Sequence, residues 1–362
     1  MKRIDPFTMT PGIAGAAYIN THYAETIIEN FESEQSSKYV YKIVGLRGSG
    51  KSVEYSQVIN HFKKAAGWRV YTTFATSDPV ESLIAKISSE PFIDSKKHTA
   101  TVTTGGSAGA DAFIVKGNAN ISLSRTTEDN MRYYSSEVAL EKMIREVNEK
   151  GYKVLIGIDD ISKTPKMVNF LSLFGMMLLD DSIKVYLVCT GLSKNIEDFA
   201  SESNLSFFKR GDFIETKALN LIDIASMYSK LLDVSKEEDV AMSKFTCGYA
   251  FAYQLLGSLY FNKSESETFD DLLLEFDKVI FRDSYSLIWP TLTEAEQKLV
   301  RIIALSPTGK IADIKNEMEH PDNISVLRAR LENKHIINTQ RRGYITIDLP
   351  RFAEYVRLWQ QE

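Results

Sequence analysis

The fold of this 362-residue chain is limited most by one run of eight residues, Gly45-Leu46-Arg47-Gly48-Ser49-Gly50-Lys51-Ser52. Its spacing, G-x-x-x-x-G-K-[ST], is typical of a loop that binds nucleotide phosphates. Residues 39–44, which precede it, are β-branched and aromatic and predict a buried strand. Apolar side chains follow it at helical spacing, at Val58, Ile59 and Phe62. Strand, glycine loop and helix form the context in which this motif binds phosphate.

The chemistry of such a loop comes from its backbone. Glycines let the chain curl so that successive N–H groups point at an anion, and the helix that follows adds its positive dipole end. Lys51 is expected on the β- and γ-phosphates, and the Ser52 hydroxyl on Mg²⁺. The alternative is a glycine-rich turn that carries a surface lysine. The expected nucleotide-binding residues are Gly45, Gly48, Ser49, Gly50, Lys51, Ser52 and Val53.

Composition narrows the class of protein. The net charge is −5, so bulk electrostatics do not predict a polyanion-binding protein, although a local basic surface stays open. Cys189 and Cys247, the two cysteines, lie in apolar segments without metal or disulfide spacing, which favours a reducing compartment. The N-terminus lacks the apolar run of a signal peptide, and the most apolar stretch, residues 170–179, is about half a membrane span. We therefore expect a soluble cytoplasmic protein with no membrane partner.

Strands alternate with helices over the first 219 residues. Patterns predict strands at 68–74, 153–160, 184–190 and 213–219, and helices at 24–31, 79–88, 136–150 and 165–179. This alternation predicts an α/β fold in which a parallel sheet has helices on both faces. Within residues 91–130, residues 99–110 are rich in small and hydroxyl residues, and residues 114–121 resemble a hairpin around a Gly-Asn turn. Either a β excursion or a mobile loop fits this segment.

The pattern changes after residue 219. Residues 220–285 are helical throughout, and Pro290 marks a boundary. Helices are then predicted at 294–305, 311–319 and 325–334, before a hairpin of residues 336–339 and 344–347. Three helices and a hairpin predict a winged helix. The expected domains are therefore an αβα nucleotide-binding domain at 1–219, an all-α lid at 220–287 and a winged helix at 288–362.

Two carboxylates stand at the end of the predicted strand 153–160. Asp159 is a candidate to hold Mg²⁺ through water, and Asp160 to polarise and orient an attacking water. The alternative is a strand end with two solvated acids. The phosphate-binding run about a hundred residues upstream favours the functional interpretation.

This order of motifs resembles the AAA+ and STAND ATPases, in particular the origin-recognition and archaeal-type branch. It is also similar to bacterial ATP-binding proteins that share the motifs Thr190-Gly191-Leu192 and Gly248-Tyr249-Ala250-Phe251-Ala252. The resemblance implies an ATPase that uses ATP and Mg²⁺. It also implies that the strand after the acid strand lies between that strand and the phosphate-loop strand.

By position, the resemblance implies two further catalytic residues. Thr190 matches the polar residue that meets the γ-phosphate, and Arg210 matches an arginine that acts on a neighbouring subunit. The alternative for Thr190 is a threonine at a strand end whose hydrogen bonds are all made within the protein. The alternative for Arg210 is an arginine at a helix end that donates to the last carbonyl groups of that helix. The second acid, Asp160, is shorter than the glutamate common in relatives, so slow hydrolysis is expected. Residues 18–22 lack the Gly-Arg pair of relatives, and residues 248–250 lack the lid arginine.

The predicted winged helix carries a local basic excess. Residues 322–359 hold seven Lys and Arg against four Asp and Glu. The basic residues permit duplex DNA binding, and protein contacts are the alternative. We therefore expect a nucleotide-dependent switch that hydrolyses ATP and repositions a winged helix, with a homo-oligomer or a protein partner as further options. The alternatives are a non-catalytic nucleotide-binding scaffold and, as a poorer fit, a small-molecule kinase.

Overall fold

The structure, a computed structural model, describes residues 4–75, 77–93 and 135–360. Most of the segment for which the sequence left a β excursion or a loop open, residues 94–130, lies outside the described residues. The described chain groups into two compact units. One comprises Met1–Glu25, Ile43–Gln57 and Ile214–Glu362, and the other comprises Thr26–Lys42 and Val58–Phe213. We call them the loop unit and the acid unit, after the motifs that they contain.

Five strands form one sheet. Their bounds are β1 Val40–Val44, β2 Trp68–Phe74, β3 Lys153–Asp159, β4 Val185–Gly191 and β5 Asp212–Glu215. The strand order is β2-β3-β4-β1-β5, and β3 pairs with β2 and with β4 in parallel. The predicted position of β4, between the acid strand β3 and the phosphate-loop strand β1, is confirmed. The α/β fold class is confirmed as well.

Helices cover both faces of the sheet within the acid unit. Alternate residues of β3 and β4, such as Val154, Ile156 and Leu187, belong to a core shared with the helices Pro79–Ile87, Ser136–Glu149 and Pro165–Met177. On the opposite face, rings of the strands contact Phe31 of helix Tyr23–Glu32 and Phe62 of helix Lys51–Lys64. Burial on both faces explains why these strands read as continuous apolar runs.

The loop unit is helical beyond β5. Its helices are Leu221–Leu231, Lys236–Phe245, Ala250–Asn262, Phe269–Ile280, Glu294–Leu305, Ile311–Asn316, Ile324–Asn333 and Phe352–Trp359. A wider helical turn, Phe281–Tyr285, follows Ile280. The antiparallel strands β6 Ile337–Asn338 and β7 Thr346–Ile347 form the expected hairpin. We call residues 294–359 the C-terminal module; its winged-helix assignment, like the three-domain division, stays a prediction.

Two features of the loop unit differ from the sequence expectation. The last helix, Phe352–Trp359, was not predicted. Strand β5 ends at Glu215, four residues earlier than expected, because the chain then turns to other partners. Thr216 N still donates to Val44 O at 2.8 Å, whereas Leu219 N donates to Gly248 O at 2.8 Å. The end of the predicted strand therefore contacts the segment that begins helix Ala250–Asn262.

Candidate nucleotide-binding site

The phosphate-binding run adopts a curled backbone between β1 and helix Lys51–Lys64. Gly45, Gly48 and Gly50 have φ values of 155°, 74° and 95°, which side chains disfavour. A Cβ atom on Gly45 would lie 2.0 Å from Thr216 Oγ1, and one on Gly48 would lie 2.2 Å from the Tyr249 hydroxyl oxygen. Glycine is therefore required at both positions by packing as well as by conformation.

Polar groups hold the loop from the side of β5. Ser49 Oγ lies 2.6 Å from Thr216 Oγ1 and 2.7 Å from the carbonyl oxygen of Leu46. Lys51 Nζ donates to the same Leu46 carbonyl at 2.8 Å, so its ammonium group is drawn over the loop. Val53 N donates to Gly50 O at 2.9 Å as the helix begins. Thr216 is 2% exposed, and nothing in its local sequence indicates this role.

A second set of contacts comes from the start of helix Ala250–Asn262. The Tyr249 hydroxyl donates to Arg47 O at 2.7 Å, and Phe251 N donates to Gly48 O at 3.0 Å. The motif that carried the resemblance, residues 248–252, therefore contacts two consecutive carbonyl groups of the loop. The Tyr249 hydroxyl therefore has protein groups as its hydrogen-bond partners.

A buried carboxylate joins the N-terminal segment to the helix that follows the loop. Glu54 is 4% exposed and accepts from Tyr18 Oη at 3.1 Å, Thr21 Oγ1 at 2.9 Å and Ala24 N at 3.2 Å. Burial raises the pKa of the Glu54 carboxyl, and the hydrogen bonds from Thr21 and Tyr18 offset part of this rise. The segment that lacks the expected Gly-Arg pair is thus fixed by other residues.

The acid unit brings the predicted acids and Thr190 together. The Thr190 hydroxyl donates to Asp159 Oδ1 at 2.5 Å and accepts from Asp160 N at 2.8 Å. Thr190 is fully buried, whereas Asp160 is exposed and has a left-handed φ of 54°. Such a backbone costs about 1–3 kcal/mol for a residue with a side chain and is often found at functional sites. Thr190 thus holds the Asp159 carboxylate and the Asp160 backbone. These hydrogen bonds are those of the strand-end alternative, and a contact of Thr190 with a γ-phosphate stays a prediction.

Arg210 ends the short helix Ser206–Arg210 just before β5, as its predicted position requires. Its guanidinium group is exposed and donates to Ser206 O and Ser206 Oγ, both at 3.3 Å. This is the helix-end contact that the sequence left open as an alternative. A role toward a neighbouring subunit stays a prediction.

A pocket borders the phosphate loop within the loop unit. The pocket is partly open to solvent, and its empty volume, including that open part, is about 410 Å³. Its lining includes Leu46 and Ser49 of the loop, Thr216 and Tyr249 beside it, and His335 of the C-terminal module. Cys247 also lines it and is exposed, contrary to the apolar setting that the sequence suggested, whereas Cys189 is buried as expected.

These residues fit a polyphosphate. Positive-φ glycines, a lysine over the loop and a following helix N-terminus are the groups that hold phosphate oxygens. Among residues 4–75, 77–93 and 135–360, no group of three or more His, Cys, Asp or Glu could hold a metal ion. Mg²⁺ beside a nucleotide uses few protein ligands, since phosphates and water complete its coordination. Ser52 and Asp159 remain the predicted ligands.

Several basic residues of the C-terminal module have intramolecular partners. Lys334 Nζ lies 2.7 Å from Glu296 Oε2, and His335 Nε2 lies 3.3 Å from Glu215 Oε1. Arg341 stacks on the ring of Tyr344 at 3.8 Å and is exposed, as are Arg342 and Arg330. The basic surface of this module is therefore smaller than the sequence count suggested.

Comparison with solved structures bears on the fold. The Aeropyrum pernix ORC2 protein, in ADPNP–ADP complexes, has a TM-score of 0.56 and 10% identity, over 94% of this chain and 93% of that one. This chain shares its fold with an archaeal origin-recognition protein. The resemblance inferred from the motifs is thereby confirmed at the level of the fold.

Other comparisons are weaker. The A. pernix ORC1 protein in complex with DNA gives a TM-score of 0.41 at 14% identity, over 93% of this chain and 91% of that one. A STAND protein from Pyrococcus horikoshii gives a TM-score of 0.38 at 16% identity, over 99% of this chain and 44% of that one. A family described as "Domain of unknown function (DUF8462)" matches residues 282–356. No curated protein matches the sequence.

In the part of the chain that the structure describes, no helix combines the length and the apolar character needed to cross a membrane. The predicted cytoplasmic location stays a prediction.

Proposed function

We propose that this protein binds ATP with Mg²⁺ at the phosphate loop and hydrolyses it slowly, as a nucleotide-dependent switch. The observation that carries the proposal is the loop itself. Three glycines hold a curled backbone at positive φ, and Lys51 lies over the Leu46 carbonyl at 2.8 Å. Because the carbonyls of Leu46, Arg47 and Gly48 accept hydrogen bonds from the protein, the loop is preorganised before an anion binds.

In this proposal, Lys51 takes the β- and γ-phosphates, and Ser52 and Asp159 hold Mg²⁺. When bound, Mg²⁺ supplies positive charge that offsets the charge developing on the phosphoryl oxygens. Asp160, exposed at the end of β3, accepts a hydrogen bond from the attacking water and orients it. Thr190 holds the Asp159 carboxylate and the Asp160 backbone through the hydroxyl contacts described above.

Calorimetric titration with MgATP tests binding. We expect Lys51→Ala to lose ATP affinity by at least tenfold, because a charge-assisted contact to phosphate contributes about 1.5–3 kcal/mol. Lys64→Ala is the matched control, since Lys64 is exposed at the far end of the same helix. Equal ATP affinity in wild type and Lys51→Ala would contradict the proposal.

Phosphate release separates the ATPase from the non-catalytic scaffold. We expect slow turnover in the wild type and its loss in Asp160→Asn, with ATP affinity largely retained. If the wild type binds ATP and releases no phosphate under any condition, the scaffold proposal replaces the ATPase. If Arg210→Ala lowers ATP turnover at high protein concentration and leaves it unchanged at low concentration, that result would support action of Arg210 on a neighbouring subunit.

We further propose that the C-terminal module is a winged helix whose position depends on the nucleotide and whose basic face binds duplex DNA. Exposed Arg330, Arg341 and Arg342 support phosphate contacts. A protein partner is the alternative. Fluorescence anisotropy with a labelled random-sequence duplex, with and without ATP, distinguishes them: no binding in either state would leave the protein partner.

A further inference from the structure

Tyr249 has a hydroxyl group that bonds in two directions. It donates to Arg47 O at 2.7 Å, and its oxygen lies 2.6 Å from Ser284 Oγ. A phenol has one proton, so a hydroxyl that donates to the Arg47 carbonyl must accept from Ser284. Tyr249 is 5% exposed and Ser284 is 3% exposed, so neither group exchanges these bonds for water. The phosphate loop is thus joined to Ser284 through one side chain.

The backbone beside Tyr249 strengthens this contact with the loop. Phe251 N donates to Gly48 O at 3.0 Å, and the Tyr249 hydroxyl fills the space that a Cβ on Gly48 would occupy. The outer carbonyls of Arg47 and Gly48 are therefore both held by residues 249–251. A loop whose carbonyls are fixed on the outside keeps its N–H groups turned inward, as an anion requires.

Ser284 belongs to the wider helical turn Phe281–Tyr285, which precedes the C-terminal module. The next residue, Tyr285, is fully buried, and its hydroxyl donates to Pro350 O. Arg351 follows with a left-handed φ of 62° and bonds to Asp277 Oδ2 at 2.6 Å. Wide turns of this kind are frequent at functional sites. A continuous set of contacts therefore runs from Arg47 to Pro350, and it enters the DUF8462 match at residues 282–356.

We propose that Tyr249 is a positioning residue that holds the phosphate loop in its anion-binding form and, through Ser284, couples the loop to the C-terminal module. The coupling rests on the proposed ATP binding, whereas the positioning does not. When ATP binds, it further stabilises the loop conformation in which the Arg47 carbonyl accepts from the Tyr249 hydroxyl, and Ser284 with residues 349–351 is stabilised in turn. Without the hydroxyl, the loop and the module respond to ATP independently.

The test uses the full chain as wild type, Tyr249→Phe and Tyr228→Phe. Tyr228 is the matched control because it is also buried in the loop unit and also donates to a backbone carbonyl, that of Tyr253 at 2.7 Å. Hydrogen exchange of nucleotide-free protein measures positioning. We expect the amides of residues 46–50 to exchange about fivefold faster in Tyr249→Phe, as the loss of one net hydrogen bond implies, and at wild-type rates in Tyr228→Phe.

The same variants are then compared with saturating MgATP. We expect about fivefold weaker ATP affinity in Tyr249→Phe and loss of the ATP-dependent protection at residues 281–288 and 346–352, with both retained in Tyr228→Phe. Ser284→Ala, which keeps the Tyr249–Arg47 bond, should lose the distant protection and keep loop exchange near wild type. Ser284→Ala still tests the coupling on its own should Tyr249→Phe fail to fold.

The outcomes are distinguishable. Equal loop exchange in Tyr249→Phe and Tyr228→Phe overturns the positioning role, whether or not ATP binds. Normal ATP-dependent protection at 281–288 and 346–352 in both Tyr249→Phe and Ser284→Ala overturns the coupling. Absence of ATP binding in the wild type overturns the proposed function and the coupling together, and the loop exchange still decides the positioning role.

Discussion

Two glycines of the phosphate loop allow a sharp test of its packing. Gly48 and Gly50 both have left-handed backbones, with φ values of 74° and 95°. A Cβ on Gly48 would lie 2.2 Å from the Tyr249 hydroxyl oxygen and 2.8 Å from Tyr249 Cζ. Among the residues that the structure describes, a Cβ on Gly50 would meet no heavy atom within 4 Å other than those of Gly50 and its two chain neighbours. Alanine at the two sites therefore adds similar backbone strain and very different steric conflict.

The expected magnitudes follow from these contacts. Left-handed strain costs about 1–2 kcal/mol for alanine at either site. At Gly48, Tyr249 must also move away, and its bonds to Arg47 O and Ser284 Oγ are worth about 1 kcal/mol each. We expect Gly48→Ala to lower the free energy of unfolding by about 3–4 kcal/mol and Gly50→Ala by about 1–2 kcal/mol.

Urea unfolding of the nucleotide-free chain, followed by tryptophan fluorescence, measures this difference. Nucleotide must be absent, since ligand binding adds its own stabilisation and both glycines lie in the proposed site. The double variant Gly48→Ala/Tyr249→Phe should recover part of the loss, because the hydroxyl that meets the new methyl group is gone. A cost for Gly48→Ala no larger than that for Gly50→Ala would refute the packing of Tyr249 on the loop.

Three further predictions concern other buried and charged groups. Burial raises the pKa of Glu54, so the folded state binds the carboxyl proton more tightly than the unfolded chain does. The contribution of Glu54 to stability therefore falls as pH rises from 4.5 through the raised value. Glu54→Gln should flatten this part of the pH–stability profile. Lys334→Met should cost about 3–5 kcal/mol of unfolding free energy at pH 7, because it leaves the carboxylate of Glu296, 1% exposed, without its cation. The double variant Arg341→Ala/Arg342→Ala should weaken the salt dependence of duplex DNA binding. The negative slope of log affinity against log salt concentration should become shallower by about 2.

Each of these has a control and a contrary result. For Glu54, an unchanged pH–stability profile in Glu54→Gln would show that the group does not titrate in this range. Lys298→Ala is the control for Lys334→Met, since Lys298 and its partner Glu294 are 54% and 83% exposed. Lys298→Ala should lower the free energy of unfolding by no more than about 1 kcal/mol. Equal losses in the two variants would contradict the burial of the Lys334–Glu296 pair. For DNA, Lys63→Ala/Lys64→Ala should leave the slope unchanged, and a slope unaffected by the arginine variant would exclude the hairpin from the interface.

The pair of Lys334 with Glu296 also has an acid-side signature. Burial alone would raise the pKa of Glu296, but the hydrogen bonds from Lys334 and from the Thr293 backbone outweigh it and hold the pKa below its usual range. A lowered folded pKa adds stability above the unfolded value, and this stability is lost as pH falls through the folded value. Wild type and Lys334→Met should therefore converge in stability as the solution is acidified.

Much of the fold was predictable because its signals are local. Strand β2 and helix Glu294–Leu305 have the predicted bounds, since period-two and period-3.6 patterns depend only on neighbouring residues. Helix Phe352–Trp359 was missed, although its apolar residues have helical spacing. Strand β5 was predicted too long because residues 216–219 look like a strand locally and are diverted by the Gly248 carbonyl.

The candidate site divides in the same way. The glycines, Lys51 and the paired acids could be recognised as candidate site residues from the sequence alone. A phosphate loop and a strand-end carboxylate each need only a short run of residues. Only the tertiary structure decided that Tyr249, 202 residues from Arg47 in the chain, holds the loop, and that Lys334 is paired with Glu296. Contacts between distant segments depend on how the helices pack, and no local periodicity records which buried hydroxyl or carboxylate will meet a given backbone group.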